Sequence, residues 1–178
     1  MTCLFVALPL PDSIIDVLAP SMEGGPPGLR WVPEDNLHCT IRFIGTVERH
    51  EAQDLADALA RLRHPPFGVR IDGVGIFTHR RRGALWARLV PRAPLEALHE
   101  KVDRTLVQLG HAPQRRAYLP HVTLARWSGG AIDARNWSER WASLASPAVM
   151  IERFTLYRSD LYPHGPHYTP LASFALTG

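Results

Sequence analysis

Cysteine is scarce in this chain of 178 residues: Cys3 and Cys39 are the only two, and they form no C-x-x-C pair. That excludes a disulfide framework and a cysteine-based zinc site, and both side chains read as buried thiols. No H-E-x-x-H stretch or cluster of carboxylates offers a metal another site, and no Walker A loop is present to cradle a nucleoside triphosphate. The stretch "KVDR" at Lys101 to Arg104 stands nearest to the K-x-D-G motif of ATP-driven ligases, but Arg104 replaces the glycine and the stretch falls inside a strong helical pattern. Neither a metal nor a nucleotide cofactor is therefore expected. Long hydrophobic runs are missing as well. The N-terminal "CLFVALPL" lacks a basic flank and is broken by Pro9 and Pro11, so it reads as a first buried strand rather than a signal peptide or a membrane span. A cytoplasmic location with no membrane partner is the expectation.

Lysine is nearly absent. Of 20 basic residues, 19 are arginine and one is Lys101, and the abundance of Arg, Ala, Pro and Gly together fits a GC-rich coding sequence. The net charge is only +3, yet a pI near 9.2 and clusters at Arg80 to Arg82 and at Arg115 and Arg116 suit a polyanionic ligand. What is plentiful is core material. With 46% apolar and 21% charged residues, the composition is that of a folded globular protein of about one domain. A single monomeric domain over residues 1–178, built as two intertwined lobes, is expected.

Periodicity gives the elements. "TCLFVALPL" reads as a strand, followed by a short helix with Asp12 or Ser13 as its N-cap. "LHCTIRFIG" alternates in period two and is expected to stop at Gly45, before a helix over Glu48 to Leu62. Two strands follow, "HPPFGVRIDGVGIF" and "GALWARLV", on either side of an Arg-rich turn. "PLEALHEKVDRTLVQLG" is the clearest helix, with Pro94 in its first turn and Gly110 as its stop. The second half repeats the order: the strand "HVTLARW", a helix near Asn136 to Leu144, one strand over "AVMIERFTLYRS", and a last strand "TPLASFAL". Hairpin-like strand pairs with few long crossovers argue for an α+β fold with mainly antiparallel sheets.

Histidine and threonine recur two apart in three places: His38 with Thr40, His121 with Thr123, and His167 with Thr169. Nine of each residue type would give about half such a pair by chance, so the bare pattern is weak and its context decides. The third pair, in "PHGPHYTP", is flanked by prolines and reads as a loop entering the last strand. The first two lie in β-like runs near half a chain length apart. In a strand, residues two apart share a face. His38 and Thr40 therefore point one way while Cys39 and Ile41 pack behind them, and His121 and Thr123 do the same against Val122 and Leu124. The same parity turns Arg42 toward His38 and Thr40, and turns Arg126 away from His121 and Thr123.

One such strand is an ordinary solvated face; two matching strands are not. An imidazole titrates near pKa 6.5, so one histidine can act as a base and the other as an acid. Placed on opposite sides of a phosphorus atom, they can take a proton from the nucleophile and give one to the leaving oxygen. The threonine hydroxyls can donate to the non-bridging oxygens.

"HCTI" and "HVTL" resemble the paired motifs of the 2H phosphoesterase superfamily, and of its bacterial and archaeal RNA 2′,3′-cyclic phosphodiesterases, also called 2′-5′ RNA ligases, in particular. The likeness extends over "LFVALPLP", "RWVPEDNLHCTIRFIGTV", "PLEALHEKV", "PHVTLARW" and "FTLYRSDL". It implies a bilobal α+β fold in which two pseudo-symmetric, mainly antiparallel sheets flank a central cleft, with helices packed outside. It also implies hydrolysis of a terminal RNA 2′,3′-cyclic phosphate, or of a cyclic nucleotide, to a 2′-phosphomonoester. ATP-independent 2′-5′ joining is a related activity, and a non-catalytic module binding RNA ends is the alternative on the same fold. By this resemblance His38 is the acid that protonates the leaving 3′ oxygen and His121 the base that activates water. Thr40, Thr123 and Arg126 then hold the phosphate. Tyr118, Tyr157, Arg158, Tyr168 and Arg42 are candidates for lining the cleft or stacking a base. The chain departs from its relatives at Leu119, where they often carry a basic residue.

Overall fold

A computed structural model describes all residues from Met1 to Gly178. Strand β1 (Thr2–Pro9) is buried along most of its length and leads into helix α1 (Asp12–Leu18). The helix begins at Asp12 with Pro11 in the N-cap position and no side-chain cap, so the expected Asp12 or Ser13 cap is displaced. Proline already holds the extended φ that a cap residue needs, and the Asp12 carboxylate lies in the first turn, where the helix dipole favours it. After β2 (Arg30–Trp31) comes β3 (His38–Val47). Gly45 does not end that strand. It takes a positive φ of 96° within it, at a shift of register against β1.

Helix α2 (Arg49–Leu59) is shorter than expected at both ends: Glu48 is its N-cap, locked with Glu51 in a reciprocal capping box, and Ala60 is its C-cap. Then follow β4 (Phe67–His79), β5 (Arg82–Val90) and α3 (Arg92–Gln108). The buried face of α3 is Leu95, Leu98, His99, Val102 and Leu106, the spacing of an amphipathic helix laid on a sheet. The chain continues through β6 (His121–Ser128), α4 (Arg135–Arg140), β7 (Val149–Ile151), β8 (Arg153–Tyr162) and β9 (Gly165–Ala175). No helix is long and apolar enough to cross a membrane.

Two expectations fail here for one reason, that strand pairing is non-local. The run "AVMIERFTLYRS" is two strands: β7 pairs with β4, while β8 pairs with β1 and β9 at the other end of the sheet. His167 and Thr169 lie inside β9, opposite Asp160 and Arg158, rather than in a loop. β9 is the outermost strand on its side, and an edge strand tolerates Pro166 and Pro170 because their missing donors can face away from the ladder.

Every pairing is antiparallel, and the strands run β7-β4-β5-β6-β3-β1-β8-β9, with β2 added beside β6. β3 and β6 are central, with β1 beside β3 and β5 beside β6; β8 and β9 extend the first half, and β4 and β7 the second. The α+β architecture of antiparallel strands expected from the sequence is the one found, with the expected pair of sheets joined as two halves of one nine-stranded sheet. The two halves of the sheet meet at a single residue pair, Cys39 opposite Val122.

Candidate active site

That one pair is the centre of both motifs. Cys39 and Val122 are the middle residues of the two His-x-Thr sequences, and both are fully buried. Because the pair is antiparallel, its register sets Thr40 beside His121 and His38 beside Thr123, at neighbouring-strand spacing of about 5 Å. Beyond this point the two strands diverge and the cleft opens between them.

Each central strand carries a bulge just past its motif. In β3, Thr40 pairs with Ala7 but Arg42 pairs with Val6, so Ile41 is the extra residue. In β6, Thr123 pairs with Trp86 but Ala125 pairs with Leu85, so Leu124 is the extra residue. An inserted residue reverses the strand's parity downstream. Arg126 consequently joins the His121 and Thr123 face and lines the cleft, where strict alternation would have turned it away. Arg42 moves the opposite way. Its guanidinium is buried against α3, with Nε donating to Asp103 at 2.6 Å and Nη2 donating to the Ala112 carbonyl at 2.6 Å. Arg42 does border the cleft, as expected, but with its guanidinium fully engaged it is part of the wall and not a free cation. The bulge at Ile41 is held from the same helix, since His99 Nδ1 lies 2.7 Å from the Ile41 carbonyl.

The two imidazoles are oriented alike. His38 Nδ1 donates to the Asn36 carbonyl at 2.6 Å and His121 Nδ1 donates to the Leu119 carbonyl at 2.7 Å, so in the neutral rings both Nε2 atoms are lone-pair acceptors. His38 Nε2 sits 3.0 Å from Thr40 Oγ1. Burial pulls the pKa of both histidines below the ordinary value of a free imidazole. The charge of Arg126 adds to this for both, with His121 contributing at His38 and Arg116 at His121, against the opposing effect of each backbone bond. At neutral pH, with the cleft empty of an anion, the pair is therefore held uncharged.

A cleft of about 1060 Å³ is lined by Thr40, His121, Thr123 and Arg126 together. His38 does not line it directly and reaches it through Thr40. Behind His38 stands an aromatic wall, with Phe5 at 5.1 Å and Tyr168 edge-on at 5.2 Å, and Tyr157 stacked on Phe5. Phe5 and Tyr168 thus frame the imidazole with Tyr157 one ring further back, and neither tyrosine, expected as a cleft residue, is in the cleft lining. Arg158, directly opposite Leu4 on the neighbouring strand and on the other face from Tyr157, is paired with Asp160 at 2.7 Å and is absent from the cleft lining, which corrects its expected place. Tyr118 presents its ring to the cleft but buries its hydroxyl, which donates to the Thr40 carbonyl at 3.1 Å and lies 3.6 Å from Cys39 Sγ. Burial pushes that phenol far up from its usual pKa.

Sequence reading missed Phe43, Phe77 and Arg30, all in the lining, whereas Arg82 and Arg116 come from the two arginine clusters it singled out for a polyanionic ligand. Phe43 was findable: it stands five residues after His38 as Arg126 stands five after His121, and the paired bulges give both the same outlook. Leu119 serves through its carbonyl, which accepts from His121 Nδ1, and Arg116, five residues before His121, brings positive charge to that ring. Lys101, the candidate ligase nucleophile, lies on α3 and donates to the Arg63 carbonyl.

Comparison with known proteins follows this geometry. The model of the 2′-5′ RNA ligase superfamily matches residues 21–163. The RNA 2′,3′-cyclic phosphodiesterase of Geobacillus stearothermophilus is 28% identical over 98% of this chain, which spans only 57% of that protein's length. The RNA 2′,3′-cyclic phosphodiesterase of Escherichia coli K12 is 29% identical over 98% of this chain and 96% of its own. Among solved structures, E. coli LigT complexed with 3′-AMP superimposes with a TM-score of 0.77 at 28% identity, covering 99% of each chain. With a family match over most of its length and both motifs brought together at the centre of the sheet, the chain belongs to the 2′-5′ RNA ligase superfamily.

Proposed function

We propose that this protein opens the 2′,3′-cyclic phosphate at the end of an RNA, leaving a 2′-phosphomonoester and a free 3′-hydroxyl. The observation that carries this is the register of Cys39 opposite Val122, which supports two imidazoles and two hydroxyls gathered about a single phosphoryl group. Water attacks phosphorus while His121 Nε2 takes its proton. The P–O3′ bond breaks, and His38, protonated at Nε2, gives its proton to O3′. Thr123, Thr40 and Arg126 hold the non-bridging oxygens, where charge persists through the displacement. Protonation of His38 removes the Nε2 lone pair that accepts from Thr40 Oγ1, which frees the Thr40 proton for the phosphate and leaves the Nε2 proton for O3′. An anionic substrate beside Arg126 offsets the charge that holds both histidines neutral, so binding itself favours the protonated acid.

The same groups serve ATP-independent 2′-5′ joining when a 5′-hydroxyl stands in for water. The working unit is a monomer, one domain over the whole chain, acting on cytoplasmic RNA. Incubation of purified protein in EDTA with an oligoribonucleotide bearing a 2′,3′-cyclic end, with the product phosphate located by 31P NMR, is the test. Formation of the 2′-phosphate, lost by about 10²–10⁴-fold in His38→Ala and His121→Ala, is the expected result. A 3′-phosphate product, or unchanged rates in either folded variant, would overturn the assignment. Binding without turnover would instead make the protein an RNA-end-binding module.

A further inference from the structure

Four arginines in the cleft, Arg30, Arg82, Arg116 and Arg126, make no ion pair and no hydrogen bond, and no aspartate or glutamate lines the same cavity. Three of them share one face. Arg30 on β2 lies directly opposite Arg126 on β6. Arg82 on β5 lies opposite Ser128, one step of two residues, roughly 7 Å, along the strand from Arg126. Like charges set directly opposite each other on a sheet destabilise it, and nothing in the protein relieves the pair Arg30 and Arg126. The single phosphoryl group placed between the two threonines needs one guanidinium, and Arg126 supplies it. The remaining two face open volume in a cleft of about 1060 Å³, at or above the upper end of the roughly 300–1,000 Å³ typical of small-ligand pockets.

We infer that Arg30 and Arg82 form a second anion subsite, which takes the phosphate on the 5′ side of the terminal nucleoside. In an RNA strand that group is the last phosphodiester, so the subsite selects a strand over a cyclic mononucleotide. The inference rests on the cyclic-phosphate reading above for its chemistry, but its binding can be measured without turnover.

Two assays separate the two claims. The first compares kcat/KM on 2′,3′-cyclic AMP and on a diadenylate ending in a 2′,3′-cyclic phosphate, for wild type and for Arg30→Gln with Arg82→Gln. A wild-type preference for the dinucleotide, reduced about tenfold per guanidinium in the variants with the loss concentrated on the longer substrate, is expected for charge-assisted phosphate contacts. The second measures affinity for adenosine 3′-monophosphate and for the diadenylate 3′-phosphate, whose binding should lose salt dependence in the double variant. Thermal unfolding of Arg30→Gln should be unchanged or raised, because a like-charge pair is removed. Equal affinity of wild type for the two 3′-phosphates, or equal losses on both, overturns the subsite. If neither cyclic substrate is turned over but the binding difference stands, the subsite survives and the proposed function does not.

Discussion

Replacing Tyr118 with phenylalanine removes one oxygen and tests how the two halves of the site are kept in register. Tyr118 precedes β6, yet its hydroxyl donates to the carbonyl of Thr40 on β3 at 3.1 Å. Its ring stacks on His99 at 4.3 Å and 3°, and His99 holds the Ile41 bulge. The bond therefore ties the two halves of the sheet beside their only backbone pair. Losing this neutral, part-buried hydrogen bond, with Cys39 Sγ left as a weak donor to the same carbonyl, costs about 1 kcal/mol, which urea unfolding would read directly. The catalytic effect should exceed what a uniform loosening gives. Thr40 Oγ1 touches His38 Nε2 at 3.0 Å, and misplacement of a reacting group by about 1 Å can cost roughly 10²-fold. We expect Tyr118→Phe to lower kcat on a 2′,3′-cyclic substrate about tenfold, with KM within about twofold, the pattern of a group positioned for the transition state. Cys39→Ser, which keeps the phenol bond to Thr40, should retain most of the rate. A kcat within twofold of wild type in a Tyr118→Phe protein that has lost the stability would show that the bond supports folding only, and the reasoning would fall.

Three further outcomes follow from the same coordinates. Both histidines have lowered pKa values, so the acid limb of kcat/KM should fall below the ordinary imidazole value near pH 6.5. The kcat profile, measured with Arg126 facing bound phosphate, should lie at higher pH, and Arg126→Gln should shift the kcat/KM profile upward by removing a charge common to both rings. Stability carries the same sign: below about pH 6.5 the unfolded chain binds protons that the folded pair resists, so the contribution is present above that pH and is lost as pH falls toward the folded values. A melting temperature that rises on acidification from pH 7 in wild type but not in a His38→Ala, His121→Ala protein would contradict this. Asp103→Ala strands the buried Arg42 and should cost about 2–4 kcal/mol in chemical unfolding, the lower part reflecting the partial exposure of Asp103; a loss under about 1 kcal/mol would mean that water replaces the carboxylate.

The sequence by itself determined which residues make up the candidate site. Two histidines and two threonines at matching offsets, the alternation around them and the order of elements identified the motifs, the fold class and the residues at the centre of the sheet. Tertiary structure decided which way the arginines face. Parity within one strand assigns Arg42 to the cleft and Arg126 to the back; past the bulges at Ile41 and Leu124, Arg126 turns into the cleft while the Arg42 guanidinium, at the cleft wall, is drawn onto Asp103. A bulge is a property of two paired strands, set by the register of β1 against β3 and of β5 against β6, and is invisible in either strand alone. The same non-local pairing sends β7 and β8 to opposite ends of the sheet from adjacent positions in the chain. It also places His167 and Thr169 in an edge strand that their prolines alone would have denied them.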